Sequence, residues 1–217
     1  MTTRKAKLNT ARLYVVLGGA SASGRPAEEI AREAVLGGAD IIQLRMKGAD
    51  QSELVRRARS VGAVVQSLGA LFIVNDDARA ALDSGADGVH VGQDDLSVGE
   101  VRRIVGADLL IGKSTHSIDQ AVAAGREDVD YLGFGPMFST PTKPDYRAVG
   151  PDRIKGILGT FDQPFFAIGG IDFSTAPQVI TLGASRLAVV RAVQDAADVQ
   201  QAARKLKDLL IKEEIIR

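Results

Sequence analysis

Residues 37–47 read GGADIIQLRMK, and the way this stretch is built decides the fold. Two glycines close a helical run, because a residue without Cβ takes the left-handed backbone that ends a helix at little cost. Asp40–Arg45 then forms a short apolar run that reads as a strand. The same junction recurs as SGAD at 84–87 and LGAS at 182–185. In each case glycine ends a helix and the chain drops directly into a strand. The recurrence is a regular helix-to-strand turn rather than a long sequence repeat.

Working outward, short apolar runs alternate with longer amphipathic stretches. Leu13–Leu17 reads as the first strand and Ala27–Leu36 as a helix, with Ile30, Ala31, Ala34 and Val35 on one face and Pro26 near its start. After Asp40–Arg45 come a long helix over Ser52–Leu68, a strand at Leu71–Val74, a short helix at Ala78–Leu82 and a strand at Gly88–Val91. A helix around Val98–Val105, a strand at Leu109–Ile111, a helix near Ile118–Ala124 and a strand at Asp130–Phe134 follow. The remainder reads as a helix near Pro151–Leu158, a strand at Pro164–Ile168, a helix near Ala176–Leu182, a strand at Arg186–Val190 and a closing helix from Val199 to about Lys212. Roughly eight strand–helix units are the count of a (β/α)8 TIM barrel. A doubly wound sheet competes, but it calls for a Gly-rich turn after the first strand and an acidic residue at a set distance. Gly18-Gly19 is too little to meet that requirement. The expectation is an α/β chain with one barrel domain over residues 1–217, a short N-terminal extension, and a site at the C-terminal ends of the strands.

Composition narrows the function. Lys+Arg and Asp+Glu both total 27, so there is no basic excess of the kind a nucleic-acid binder carries. Cysteine is absent, which removes disulfides and thiolate metal sites. The N-terminal MTTRKAKLNT is basic without an apolar core, unlike a secretory signal, and no apolar run approaches a membrane span. A cytoplasmic protein is expected.

Barrel ligands bind where the strands end at their C-termini, so polar strand ends carry the chemistry. Along the second strand Ile42 and Leu44 face one way, and Gln43, Arg45 and Lys47 face the other, into the barrel mouth. Buried Gln and Arg are costly unless paired, so this row implies an anionic ligand or an internal counter-charge. The third strand ends IVNDD and the fourth VHVGQDD. Neighbouring strands lie about 4.8 Å apart, so carboxylates from the two ends can share one ion. Mg²⁺ suits such a pair, since it takes one or two protein carboxylates and fills its other positions with water and phosphate. Helix capping is the other reading of Asp76, Asp77, Asp94 and Asp95, and accounts for one or two of them. His90 points inward, either lining a pocket or as a satisfied core histidine, and His116 has no ligand pattern around it. Ser114 stands where it can donate to a phosphate. Gly169-Gly170 and Arg191, at the seventh and eighth strand ends, suggest a second anion site.

Residues 130–150, DYLGFGPMFSTPTKPDYRAVG, begin as a strand and become a loop with three prolines after Phe134. Gly133 and Gly135 leave one strand face bare, so something can approach the backbone closely. Thr140, Thr142 and Lys143 have the chemistry of a phosphate clamp on a lid; a solvated surface loop is the alternative.

QLRMK, VNDDA, GVHVGQDDLS, GKSTHS, DYLGFGPMFSTPTK, AIGGI and GASRLAVVRAV, in this order and spacing from about Leu13 to Val193, resemble the thiamine phosphate synthase family. That resemblance implies a (β/α)8 barrel joining 4-amino-5-hydroxymethyl-2-methylpyrimidine diphosphate to 4-methyl-5-(2-phosphoethyl)thiazole, with release of pyrophosphate. It implies that Gln43, Leu44, Arg45, Met46, Lys47 and Asn75 hold the pyrimidine diphosphate and that Asp76 and Asp95 bind Mg²⁺. Ser114 and Lys143 would also contact the diphosphate. Thr140, Pro141, Thr142, Gly170, Val190 and Arg191 would hold the thiazole phosphate. The implied chemistry is dissociative: Arg45, Lys47, Ser114 and Lys143 support the departing diphosphate, and no protein nucleophile takes part. Partners would be these small molecules, without nucleic acid or membrane, and with a homo-oligomer left open. Two positions depart from the pattern, with Arg191 where many members have Ser and Asp77 where members often have Arg. The rival readings are a thiazole tautomerase on the same barrel and a non-catalytic barrel that binds a thiamine precursor.

Overall fold

The computed structural model describes residues 3–18, 24–139 and 148–216. Eight strands are present among them: β1 (Leu13–Gly18), β2 (Ile41–Arg45), β3 (Leu71–Asn75), β4 (Gly88–Val91), β5 (Leu110–Thr115), β6 (Tyr131–Phe134), β7 (Phe165–Ile168) and β8 (Leu187–Val189). Each pairs in parallel with the next and β1 pairs with β8, giving a closed barrel in chain order. The helices are α1 (Thr3–Thr10), α2 (Ala27–Leu36), α3 (Gln51–Ser67), α4 (Ala78–Ser84), α5 (Val98–Val105), α6 (Ile118–Ala124), α7 (Ala176–Thr181), α8 (Arg191–Gln194) and α9 (Val199–Ile216). The (β/α)8 architecture expected from the junctions is therefore present. One expected helix differs: the segment after β6 is a 3-10 helix, Pro151–Gly156. Its last residue, Gly156, lies so close to α6 that a Cβ there would meet Ile118 Cδ1 at 2.6 Å.

Strand alternation sorts the side chains into two shells. Leu13, Val15, Leu17, Ile42 and Leu44 face outward and pack under the helices. Tyr14, Val16, Ile41, Leu71, Ile73, Tyr131 and Phe166 fill the barrel interior. Leu8 and Ala11 belong to that interior cluster, so α1 and the link after it cover the N-terminal end of the barrel. Arg4 Nε reaches Asp87 Oδ1 at 2.8 Å and Lys5 Nζ reaches Asp130 Oδ1 at 2.9 Å, fixing α1 across that floor.

The helix-to-strand junctions also do more than turn the chain. Gly38, Gly85 and Gly183 have φ of 106°, 72° and 116°, the left-handed backbone their sequence suggested. At two of these junctions, and before β6, an Asp reaches back to the strand before. Asp40 Oδ2 accepts from the Arg12 and Leu13 N–H groups at 2.8 and 2.9 Å. Asp87 Oδ2 accepts from Phe72 N–H at 3.0 Å, and Asp130 Oδ2 from Ile111 N–H at 2.8 Å. N–H groups near the starts of strands need an acceptor, and a carboxylate is a strong one. Among the described residues, no helix is long and apolar enough to cross a membrane.

Candidate active site

A cavity of about 490 Å³ opens among the C-terminal ends of the strands. A smaller recess of about 90 Å³ adjoins it over β2–β5. Arg45, Asn75, His90, Ser114 and His116 line both, so the two spaces share a wall.

The recess is built on the strand ends that carry charge. Alternation along β2 turns Gln43 and Arg45 into the cavity and brings Lys47 to the recess. Leu44 and Met46 lie between them in sequence and pack on the outer shell, so their side chains face away from the cavity. Asp76 follows β3 with φ 65°, a left-handed conformation that only short polar side chains tolerate well. Its N–H donates to the His90 carbonyl at 2.8 Å, which fixes the turn between the ends of β3 and β4. Burial, and then the neighbouring Asp95 carboxylate, hold the Asp76 carboxyl above the usual carboxylate range. Lys47 opposes this only in part: its Nζ lies 3.3 Å from Asp76 Oδ2, at an exposed position. Asp95 also accepts from Gly92 N–H at 2.6 Å. Asp77 has a different task, capping α4 by accepting from Ala80 N–H at 2.7 Å. Of the four carboxylates for which capping was an option, Asp77 caps a helix, and Ser97 rather than an Asp caps α5. Asp94 lines the recess. Gln93, beside it, donates to the Ser114 carbonyl at 2.5 Å and braces the end of β5.

Under the cavity runs a chain of side-chain hydrogen bonds that the sequence did not reveal. Gln43 Nε2 donates to Tyr14 OH at 2.8 Å, and Tyr14 OH meets Tyr131 OH at 3.0 Å. Tyr131 OH lies 3.2 Å from His90 Nδ1, and His90 Nε2 lies 2.8 Å from Ser114 Oγ. Phe166 packs edge-on against both tyrosine rings. Burial raises both phenol pKa values, so both hydroxyls keep their protons. At the glycine face read from β6 the protein itself comes close, since a Cβ on Gly133 would meet His90 Cε1 at 3.3 Å and one on Gly135 the Ile168 carbonyl oxygen at 2.0 Å, and both glycines also line the cavity. His90 fulfils both of its readings, lining the cavity and satisfied by partners. His116 also lines it, donating from Nδ1 to the Gly135 carbonyl at 2.6 Å.

The opposite wall is backbone. Gly169 and Gly170 have φ of 97° and 66°. The start of the long loop folds onto them, with Met137 N–H donating to Ile168 O at 2.9 Å and Phe138 N–H to Gly169 O at 3.0 Å. Gly170, Val190 and Arg191 line the cavity. Gly18, also in the lining, donates its N–H to the buried Gln194 at 2.5 Å. Thr140, Pro141, Thr142 and Lys143 lie outside the described residues. Among the described residues no cluster of three or more His, Cys, Asp or Glu is placed to hold a metal. The donor set in the recess is the two-carboxylate pair of Asp76 and Asp95.

Comparison with known proteins gives a consistent result. The family model described as thiamine monophosphate synthase matches residues 13–193. A protein named thiamine-phosphate synthase from Mycolicibacterium vanbaalenii is 44% identical over 215 residues, covering 94% of this chain and 96% of the relative. Another of that name from Thermosynechococcus vestitus is 41% identical over 206 residues; the match covers 95% of this chain but 58% of that longer protein. Among solved structures, thiamine phosphate pyrophosphorylase from Pyrococcus furiosus superposes with a TM-score of 0.86 at 33% identity, covering 96% of this chain and 98% of that one.

Proposed function

The chain belongs to the thiamine monophosphate synthase family and is a transferase of thiamine biosynthesis, and from that premise we propose how its mouth divides the work. The observation that carries the proposal is the shared wall between a charged recess and a roomier, glycine-backed cavity. The recess takes the diphosphate of the pyrimidine substrate, with Arg45, Lys47, Asn75 and Ser114 as its contacts. Gln43 reads the pyrimidine, while Leu44 and Met46 contribute backbone. The glycine-backed side takes the thiazole phosphate through Gly170, Val190 and Arg191, with Thr140, Pro141 and Thr142 as further contacts, and Lys143 joins the contacts to the diphosphate. Asp76 and Asp95 fit Mg²⁺: they are adjacent oxygen donors whose mutual repulsion a divalent cation relieves. When bound there, Mg²⁺ would neutralise charge on the diphosphate oxygens.

In this reading the C–O bond to diphosphate breaks first, pyrophosphate departs, and the thiazole nitrogen forms the new C–N bond to the pyrimidine methylene. Arg45 and Lys47 stabilise the charge that develops on the leaving group, which makes positioning and electrostatics the source of rate. The setting proposed is the cytoplasm, with residues 1–217 acting as one domain. The test is a coupling assay with both substrates, with and without Mg²⁺, following thiamine phosphate. Product that depends on Mg²⁺ supports the reading. Binding of both substrates without product would overturn it.

A further inference from the structure

We infer that Tyr14 and Tyr131 are positioning residues which give the buried chain from Gln43 to Ser114 a single direction, and that this direction orients the pyrimidine diphosphate. The inference rests on the roles proposed above for Gln43 and Ser114. Its basis is a count of donors and acceptors. The Gln43 amide nitrogen can only donate, and it donates to Tyr14 OH. The Tyr14 proton must then go elsewhere, and its other hydrogen-bond partner is Tyr131 OH at 3.0 Å. Tyr131, having accepted from Tyr14, gives its own proton to His90 Nδ1 at 3.2 Å. With Nδ1 accepting, the neutral imidazole carries its hydrogen on Nε2 and donates to Ser114 Oγ at 2.8 Å. Ser114 Oγ therefore has its own hydrogen left to donate, at the wall shared by cavity and recess.

Each step is forced because the chain is buried: Tyr14 is 2% exposed, Tyr131 0%, Gln43 4% and His90 8%. A hydroxyl that kept its proton without an acceptor would carry the full cost of lost hydration. Tyr14 and Tyr131 stay protonated for the same reason. The chain thus has different chemistry at its two ends. At the Gln43 end one amide N–H is committed inward, which leaves the carbonyl oxygen and the second N–H; the carbonyl oxygen is an acceptor suited to the exocyclic amine of an aminopyrimidine. At the Ser114 end the remaining group is a hydroxyl donor suited to an anionic oxygen. A substrate with an amine at one end and a diphosphate at the other is favoured with its amine toward the Gln43 carbonyl oxygen and its diphosphate toward the Ser114 hydroxyl.

The experiment is ¹⁵N-resolved NMR of the imidazoles, combined with kinetics of Tyr131→Phe. The chain has only two histidines, which makes the spectrum readable. His116 donates from Nδ1 to a carbonyl, so the two rings are expected in opposite tautomers: Nε2–H for His90 and Nδ1–H for His116. Tyr131→Phe keeps the ring packed against Phe166 and removes only the hydroxyl. It is expected to change the His90 tautomer signal, leave that of His116 in place, and lower kcat/KM for coupling about tenfold. Tyr14→Phe is expected to act in the same direction. An Nδ1–H tautomer at His90 in the unmutated protein overturns the inference without any variant having to fold. So does a Tyr131→Phe protein with unchanged tautomer and turnover. If the unmutated protein makes no thiamine phosphate, the reaction assigned above fails, while the tautomer measurement still decides the direction of the chain.

Discussion

Gly169→Ala is the substitution that most directly tests how the long loop is attached to the barrel. Gly169 has φ 97°, and an added Cβ would lie 2.3 Å from Pro136 Cβ and 2.5 Å from Pro136 Cα. These atoms belong to the backbone and a proline ring, not to the end of a flexible side chain, so they cannot swing aside. Two responses are available. If the loop stays, the protein bears about 1–2 kcal/mol of backbone strain and about 1–3 kcal/mol of overpacking. If the loop moves, the strain remains, and the bonds from Met137 to Ile168 and from Phe138 to Gly169 are lost at about 1 kcal/mol each. The first route comes to about 2–5 kcal/mol and the second to about 3–4 kcal/mol, which is roughly 10 °C in Tm for a chain of this size. Gly85→Ala is the control. Gly85 also has positive φ, 72°, but nothing lies within 4 Å of its added Cβ. Only the backbone cost of about 1–2 kcal/mol applies there. Urea unfolding of the two variants, compared by midpoint at constant m, separates packing from backbone strain. Gly169→Ala should also raise KM for the thiazole phosphate more than for the pyrimidine diphosphate, because the loop carries the proposed thiazole contacts. Equal stability loss in the two alanine variants would refute the argument that the Pro136–Phe138 segment is pinned to these glycines.

Asp76→Asn should abolish Mg²⁺-dependent turnover while the fold persists, and full activity at limiting Mg²⁺ would remove Asp76 from the metal site. The folded Asp76 carboxyl binds its proton more tightly than in the unfolded chain, so its contribution to stability is complete below the ordinary carboxylate pKa and is lost as pH rises through the raised value. In chelator, the wild type should therefore lose stability across that acidic window relative to Asp76→Asn, as denaturant titrations at a series of pH values would show. Arg191→Ser should leave the coupling rate nearly intact if the contact to thiazole phosphate is made by backbone, and a large rise in that substrate's KM would show that the guanidinium takes part. Asp40→Ala removes the acceptor shared by Arg12 N–H, Leu13 N–H and Lys207; it should destabilise the protein by about 2–3 kcal/mol with KM values unchanged, measured by unfolding and steady-state kinetics.

What could be read in the sequence was what depends on neighbours along the chain. Gln43 and Arg45 facing the cavity, with Ile42 and Leu44 outside, follow from the two-residue period of a strand. The glycines at 38, 85 and 183 follow from helix termination. Features that depend on closure of the barrel were not legible. Tyr14 and Tyr131 are 117 positions apart and look like ordinary core aromatics until β1 and β6 face each other across the interior. Asp40 was visible as part of a turn, but its bond to Leu13 spans 27 positions. The helix α1 had no periodic apolar signal, since Leu8 is its one buried side chain. At the other end of the barrel, the sequence placed Asp76, Asp77, Asp94 and Asp95 together but could not divide capping from ligand binding. That division depends on backbone geometry: Asp77 is extended and caps α4, whereas Asp76 takes φ 65°.

The two ends of the barrel treat carboxylates in opposite ways, and this separates stability from function in the molecule. At the floor every clamp is supplied with donors: Asp87 has the Phe72 N–H, Gln66 and Arg4, and Asp130 has the Ile111 N–H, Arg102 and Lys5. At the mouth Asp76 sits in left-handed backbone, next to a second carboxylate, with one exposed lysine in partial compensation. Such backbone is a local cost, and it is held by the Asp76 N–H bond to the end of β4 and the Asp77 N–H bond to the Asn75 carbonyl. A site that is complementary to a cation and a diphosphate must leave charge unbalanced before they arrive. The surplus of acceptors at Asp76 and Asp95, beside the surplus of donors at Arg45, Lys47 and Ser114, is that imbalance. The same logic extends below it, where the direction of the buried hydrogen-bond chain decides which surplus stands at which end. Local rules of good packing fail at this one end of the fold, and in the function proposed above the missing partners are the substrates.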